Sequence, residues 1–550
     1  MPEESTMASQ SQAAGKRPGV SAVVAGPSRA VTGNRVVVRT SAGRVAGERA
    51  GRVAVFRGVP YAAPPVGALR FASPRPPVPW SGVREAVRFT DVSFQSVIPN
   101  RPVPPSDEDS LYANVWTPDP GGSRPVLVYV HGGGWQAGAG SLPAYDGARL
   151  AHRGDLVVVT FNYRLGVLGF GLHEDLADPE TGHFANWGLQ DQEALLRWVH
   201  ANAAAFGGDP GNITVCGTSA GGATAWQLAL LPALRGLIRR IVSISPSHVT
   251  PPATALTPED SRTAYEAVAR RLGTTVAGLR AVPAAALVGA WDEVFAPRPE
   301  DRIVGSGRWY RGPVVDGRTM PAHDHRMPTP DVPVLSVHTS TEGAFYTGPS
   351  SPQPAPAPRD DAELVRVVRE VLDLGRPGAG DDLAAACATA YRAAAQDAGL
   401  PADPLSLWTE VLGDAFFRHQ IVRFAERHAR LGTSPLYAME FAHPALPPHF
   451  GTPHEATSPF LFGTHRLPQF APVFGDGPVE RLLSDIFVDA VAAFARTSAP
   501  HTPNTADWPP FTPGAPSTLV LGGPGIAEVA RTPKLAQLGF WDTVGWEPRL

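Results

Sequence analysis

Three separated stretches hold residue types that together could perform acyl-transfer chemistry. An apolar run, ITVC, leads directly into Gly217-Thr218-Ser219-Ala220-Gly221-Gly222, and the helix-compatible run ATAWQLALL follows. A strand, then Gly-x-Ser-x-Gly, then a helix is the order a nucleophile elbow requires. The serine there occupies a strained turn, and a Cβ on its flanking residues would collide with the neighbouring strand or helix. Ser219 would project its hydroxyl from the sheet edge over a helix N-terminus, whose dipole favours developing negative charge. A glycine-rich turn that merely caps a helix with serine gives the same string, so the pattern takes its meaning from context.

That context includes the run PVLVYV, which ends in His131-Gly132-Gly133-Gly134-Trp135. Attack of a serine on a carbonyl makes a tetrahedral oxyanion, and only backbone N–H groups free of side-chain cover can converge on it. The amides of Gly133, Gly134 and Ala220 are the expected donors. Loss of one such donor typically costs about 10²–10³ in turnover. The alternative, a plain strand-to-loop turn, is disfavoured by three glycines in a row.

A serine nucleophile also needs a base to take its proton and an acid to orient the base, in the chain order serine, acid, histidine. Eleven histidines follow Ser219, so order selects none of them. His454 stands in Gly-Thr-Pro-His-Glu, after the strand-like PLYAMEF and before the aromatic FLFG; His443, His449 and His465 are nearby rivals read as loop surface residues. Glu342 follows the apolar run PVLSVH in Thr-Ser-Thr-Glu-Gly-Ala-Phe, at a sheet edge. Asp316 and Asp331 compete from loop segments, and a carboxylate after a strand is commonly only a helix cap or a solvated charge.

The elements that must position these residues alternate. Short β-branched runs at PVLVYV, LVVVTF, ITVC, IVSIS and PVLSVH are bounded by Gly or Pro and separated by helical patterns. This is the signature of buried parallel strands with crossover helices, an α/β architecture with a central, mostly parallel twisted sheet. Helical periodicity is clearest at 190–206, after Ser219, at 361–374, 405–431 and 480–497. Alternation between 35 and 56 predicts short antiparallel strands at one edge. Residues 1–34, rich in Ser, Ala, Gly and Pro, read as a disordered leader. Residues 35–550 read as a single domain, with helical cap insertions around 251–311 and 348–404.

With 47 basic and 51 acidic residues the chain carries a formal charge of -4, leaving no electrostatic footprint for nucleic acid. No apolar run approaches the roughly 18 residues that span a bilayer. The start lacks a secretion-signal pattern, so cytoplasmic residence is the expectation. The only two cysteines, Cys216 and Cys387, read as buried free thiols without metal-ligand spacing.

At this point the chain resembles the type-B carboxylesterase family, which includes bacterial para-nitrobenzyl esterases and the cholinesterases. The segments that carry the resemblance are FRGVPYAAPPVGALRF, DEDSLYANVW, HGGGW, NWGLQDQEALLRWVHANAAAFGGDPGNITVCGTSAGG, PVVDG, TEGAF, GTPHEATSPFLFG and FARTSAPHTPNTADWPPF. The resemblance implies an α/β-hydrolase fold and a serine carboxylesterase needing no cofactor or metal. It implies Ser219 as nucleophile, Glu342 as acid, His454 as base, and Ser245 as a hydroxyl bonding the acid. It also suggests Trp135, Phe345 and Tyr346 as walls of a substrate pocket. The implied partner is a small-molecule ester, with oligomeric state left open. Carbamates, amides or thioesters are alternative substrates of the same apparatus, and a non-catalytic cholinesterase-like binding protein is the remaining alternative.

Three departures matter. The family's Glu before the serine and its acid three residues after the histidine are Thr218 and Thr457 here, which suggests a compensated swap in which the two threonines approach directly or through one water. The family's first-loop cysteine is Ser110, which removes the disulfide of secreted relatives and suits a reducing compartment. Between Gln95 and Leu111 there is no aromatic residue to bind a quaternary ammonium, so cholinesterase activity is not expected.

Overall fold

A computed structural model of the chain describes residues 34–97, 104–250, 256–296, 311–349, 351, 354–505 and 507–546. The leader expected at the N-terminus lies outside these residues but for Asn34. Among the described residues thirteen strands form one sheet: β1 (Arg35–Arg39), β2 (Arg44–Ala50), β3 (Val53–Pro60), β4 (Val83–Glu85), β5 (Tyr112–Thr117), β6 (Arg124–Val130), β7 (Val157–Phe161), β8 (Gly208–Thr218), β9 (Ile238–Ile244), β10 (Val334–Thr339), β11 (Leu436–Phe441), β12 (Ser517–Leu521) and β13 (Ala527–Arg531). Their spatial order is β1-β2-β3-β5-β7-β6-β8-β9-β10-β11-β12-β13, with β4 beside β2. The run from β7 through β6 to β12 is parallel, and antiparallel strands close both edges. Strands β4, β5, β12 and β13 are not among those the sequence patterns single out.

The parallel strands read as unbroken apolar runs because both faces are covered. Side chains alternate across a strand, so Val126, Val128, Val130, Ile213 and Val215 pack on one side, with Leu195, Val199, Ala223 and Trp226 of the helices Trp187–Asn202 and Ala220–Leu230. Leu127, Tyr129, Cys216, Val242 and Val337 face the other side, against Leu483, Phe487, Val491 and Phe494 of the helix Pro478–Thr497. Full burial of an aliphatic side chain contributes about 1.5–3 kcal/mol, so these two layers hold the sheet from both faces.

The two inserted stretches carry helices. Pro258–Arg271, begun by a Thr257 capping box, and Ala284–Val294 pack through Tyr265, Leu287 and Trp291 onto Phe71, Val167 and Trp187. Asp361–Gly375 and Asp381–Asp397 form a cluster with Trp408, Phe416, Phe417 and Trp541. The stretch expected as one helix over 405–431 is instead Pro404–Gly413, a π-helical turn Asp414–Arg418, and His419–Leu431. Among the described residues no helix is long and apolar enough to cross a membrane.

Candidate active site

Four loops at the carboxyl ends of β6, β8, β10 and β11 converge where an α/β sheet of this kind places ligands. Ser219 is the single residue between β8 and the helix Ala220–Leu230, at φ 60° and ψ -123°. Such a backbone costs a non-glycine residue about 1–3 kcal/mol and persists only where its surroundings enforce it. Here the Ser219 amide donates to the Ile244 carbonyl at 2.8 Å, and the Ser247 amide donates to the Ser219 carbonyl at 3.2 Å. The helix approaches the sheet so closely that a Cβ on Gly221 would lie 2.1 Å from the Val130 carbonyl oxygen. That contact explains the glycine two residues after the serine. Ser219 remains partly exposed.

Glu342 lies in the turn after β10 and is fully buried. Its Oε2 stands 2.6 Å from His454 Nδ1, and its Oε1 accepts from the Ser245 hydroxyl at 2.6 Å and the Thr339 amide at 2.8 Å. Burial pushes the carboxyl pKa up, but the imidazole, the hydroxyl and the amide outweigh it and hold the group below its ordinary value. An ionised Glu342 can only accept, so Nδ1 carries the ring proton and Nε2 offers its lone pair. Nε2 is buried and has no partner among the described residues. The Phe417 ring lies 4.1 Å from the imidazole and that of Phe345 5.6 Å away, between centroids.

Neighbouring residues stitch the three loops together. Thr218 Oγ1 lies 3.2 Å from Ser458 Oγ, four residues beyond His454, and also accepts from the Tyr129 hydroxyl at 3.0 Å. Ser340 donates through its hydroxyl to Thr452 Oγ1 at 3.0 Å, joining the acid turn to the histidine loop. The Ser219 hydroxyl makes its own contact with Ser247 Oγ, at 3.4 Å, and not with His454. A rotation about χ1 is what such a serine needs to reach a base, and catalytic hydrogen bonds commonly tighten only when substrate binds.

The glycine run after β6 passes against Ser219: a Cβ on Gly132 would meet Ser219 Cβ at 3.1 Å and the Thr218 carbonyl oxygen at 2.8 Å. Gly134 and Trp135 both have positive φ, 62° and 60°, a left-handed backbone that a glycine adopts without strain. Among the described residues the amides of Gly133, Gly134 and Ala220 donate to no protein acceptor. His131 anchors the run, its Nδ1 2.9 Å from the Gly132 carbonyl oxygen and its ring stacked on Tyr163. Burial pushes its pKa down to about 4, leaving it neutral.

Several sequence expectations need correction. Thr218 and Thr457 do not hydrogen-bond to each other directly; Ser458 meets Thr218, while among the described residues Thr457 Oγ1 is buried without a protein partner. Thr457 and Ser458 begin a helix, where successive residues point about 100° apart, so only one can face Thr218. Trp135 does not line a pocket: it is 1% exposed, in the core with Phe170, and its Nε1 donates to Thr224 Oγ1 at 3.1 Å. His465 is not on the surface but stacks on Phe460 with centroids 4.7 Å apart, and burial pushes its pKa down to about 4.

Of the rival acids, Asp316 is used by its own turn through the Arg318 and Met320 amides, and Asp331 by Thr433. His443 pairs with Glu480 at 3.2 Å. Tyr346 is buried beside Phe417, and Phe345 is partly exposed. Both cysteines are buried free thiols. Ser110 and Ser93 hydroxyls lie 2.8 Å apart. Among the described residues no group of three or more His, Cys, Asp or Glu could hold a metal ion.

Sequence reasoning missed Phe417, Ser458 and Ser247. The signal for Ser458 was its distance of four from His454; Phe417 carried none, since a phenylalanine in a helical pattern reads as core.

Comparison with known proteins points the same way as this geometry. Residues 34–541 match the model of the Carboxylesterase family. The chain is similar to a phenmedipham hydrolase of Pseudarthrobacter oxydans, 35% identical across 90% of this chain and 97% of that protein. It is similar also to a para-nitrobenzyl esterase of Bacillus subtilis (strain 168), 32% identical across 88% and 94%. A solved PNB esterase structure superposes with a TM-score of 0.75 at 28% identity, covering 92% of this chain and 99% of the other.

Proposed function

The chain belongs to the carboxylesterase family, has the α/β-hydrolase fold and is a carboxylic ester hydrolase; from that premise we propose that Ser219, His454 and Glu342 perform the hydrolysis. The observation that carries this reading is the His454 imidazole, held at Nδ1 by Glu342 and free at Nε2. In the first half-reaction Nε2 takes the Ser219 proton as the hydroxyl oxygen attacks the ester carbonyl carbon. The resulting imidazolium is stabilised by the Glu342 carboxylate and returns the proton to the departing alcohol. Water then attacks the acyl-serine with the same base, releasing the acid and restoring Ser219.

The negative charge on the carbonyl oxygen falls to the amides of Gly133, Gly134 and Ala220, which have no acceptor of their own. The helix beginning at Ala220 adds its N-terminal dipole. Phe345, beside the imidazole, is the pocket wall of this reading, and Trp135 is excluded from it. Ser110, whose hydroxyl lies 2.8 Å from that of Ser93, stands where the family's secreted members carry a first-loop cysteine, and this supports cytoplasmic residence.

Hydrolysis of p-nitrophenyl esters of graded acyl length by the native enzyme and by Ser219→Ala tests the assignment, the alanine enzyme being expected to lose turnover. Matched esters, carbamates, anilides and thioesters then rank the substrates, with the esters expected to be fastest.

A further inference from the structure

Ser340, the first residue after β10 and two residues before Glu342, is bound more heavily than a turn residue needs. Its amide donates to the Phe441 carbonyl at 2.9 Å and its hydroxyl to Thr452 Oγ1 at 3.0 Å. Its carbonyl oxygen accepts from two cations at once, the Arg418 guanidinium and the Lys534 ammonium, the latter at 2.5 Å. Arg418 is fully buried in the π-helical turn Asp414–Arg418 and pairs with Asp414 at 2.6 Å and Glu410 at 3.3 Å. Lys534, from the far end of the chain, meets both Glu410 oxygens at 2.8 and 2.9 Å.

Burying Arg418 and Asp414 fully, and Lys534 and Glu410 in large part, is an expensive way to hold a turn, since well-packed apolar residues of similar volume commonly serve stability as well or better. What apolar residues cannot do is fix the direction of a carbonyl. The same π turn also carries Phe417, whose ring packs on His454. One turn thus touches the acid loop through Arg418 and the base through the residue before it, and turns of this type occur frequently at functional sites.

We propose that Arg418 and Lys534 are positioning residues for the triad: by gripping the Ser340 carbonyl they hold Glu342 in line with His454. The proposal rests on the reading of Glu342 as the triad acid. Neither cation touches substrate. Their effect runs through the angle and distance of the Glu342–His454 contact, and a misplacement of about 1 Å in such a site can cost on the order of 100-fold in rate.

The test uses the full-length enzyme with p-nitrophenyl butyrate, reading kcat, KM and Tm for Lys534→Met, Lys534→Arg, Arg418→Lys, Glu342→Gln and the double variant Lys534→Met/Glu342→Gln. Lys534→Met is expected to lower kcat roughly tenfold with KM changed by less than about twofold, Arg418→Lys to act in the same direction, and Lys534→Arg to restore most of the loss. In the Glu342→Gln background Lys534→Met is expected to cost less than about twofold more, because the group it positions is already disabled. A lower Tm with unchanged kcat overturns the proposal, as does a Lys534→Met loss that multiplies fully with that of Glu342→Gln. A Glu342→Gln enzyme with undiminished kcat overturns the triad reading itself, and the proposal with it. If Lys534→Met does not fold, Lys534→Gln serves with the same outcomes.

Discussion

His454 Nδ1 lies 2.6 Å from Glu342 Oε2, while Nε2 of the same ring is buried without a partner among the described residues. A buried nitrogen left unpaired costs about 1–3 kcal/mol, and such groups call for a reason. A base that must receive a proton from a serine supplies one. The ring is fixed in direction and tautomer at one nitrogen so that the other is available.

Removing the negative charge from that contact should disable the ring without dismantling it. Glu342→Gln is expected to lower kcat by on the order of 10³–10⁴ with a small change in KM, as loss of the orienting acid does in related triads. Ser245→Ala removes a hydrogen bond to a charged oxygen, worth about 1.5–3 kcal/mol, and should lower kcat by about tenfold or more. Steady-state kinetics on one p-nitrophenyl ester checks both.

Acid stability should depend on Glu440, which sits opposite His338 in neighbouring strands with 3.3 Å between Oε2 and Nε2. Burial pushes the Glu440 carboxyl up, but His338, Lys534 and Arg418 hold it down at about 2. A carboxyl with a folded pKa below its unfolded value contributes stability that is fully present above about pH 4.5 and is lost as pH falls toward 2. The contribution is on the order of 3 kcal/mol. Glu440→Gln should therefore lower Tm at pH 7 and lose its deficit near pH 2, measured by thermal melts across that range.

Trp135→Phe separates core from pocket. It deletes the Nε1 hydrogen bond to Thr224 and keeps most of the buried ring. Stability should fall by about 1 kcal/mol, while KM across an acyl-length series stays unchanged. Phe345→Ala in the same series should alter KM with chain length.

Gly221→Ala would place a methyl group 2.1 Å from the Val130 carbonyl oxygen. The helix must shift from the sheet, destabilising the fold by about 1–3 kcal/mol and displacing both Ser219 and the Ala220 amide. Denaturant unfolding and kcat should fall together in this variant.

The Ser219 turn and the glycine run were legible because each is local: strand, turn and helix follow one another in sequence, and the glycines answer to backbone contacts a few ångströms away. The acid and the base are separated by 112 positions and meet only through β10 and β11, so residue patterns left rivals open and the family resemblance chose among them. His465 was misread because a loop position between helical segments gives no sign of stacking on Phe460. Thr457 was singled out because the family's second acid stands three residues after the histidine; that Ser458 meets Thr218 instead depends on where the helix Thr457–Phe462 begins. The π turn that brings Phe417 and Arg418 to the site was not read from the pattern, because an inserted residue rotates the following helix by about 100°, and that rotation is recognised only once the partners of each face are known.

The most direct test of the account is mass spectrometry of the enzyme after inactivation by a fluorophosphonate. A single adduct on Ser219, formed in proportion to lost activity and absent from Ser219→Ala, is the expected result. An adduct on another residue, or a Ser219→Ala enzyme that still turns over p-nitrophenyl esters at the native rate, would contradict it.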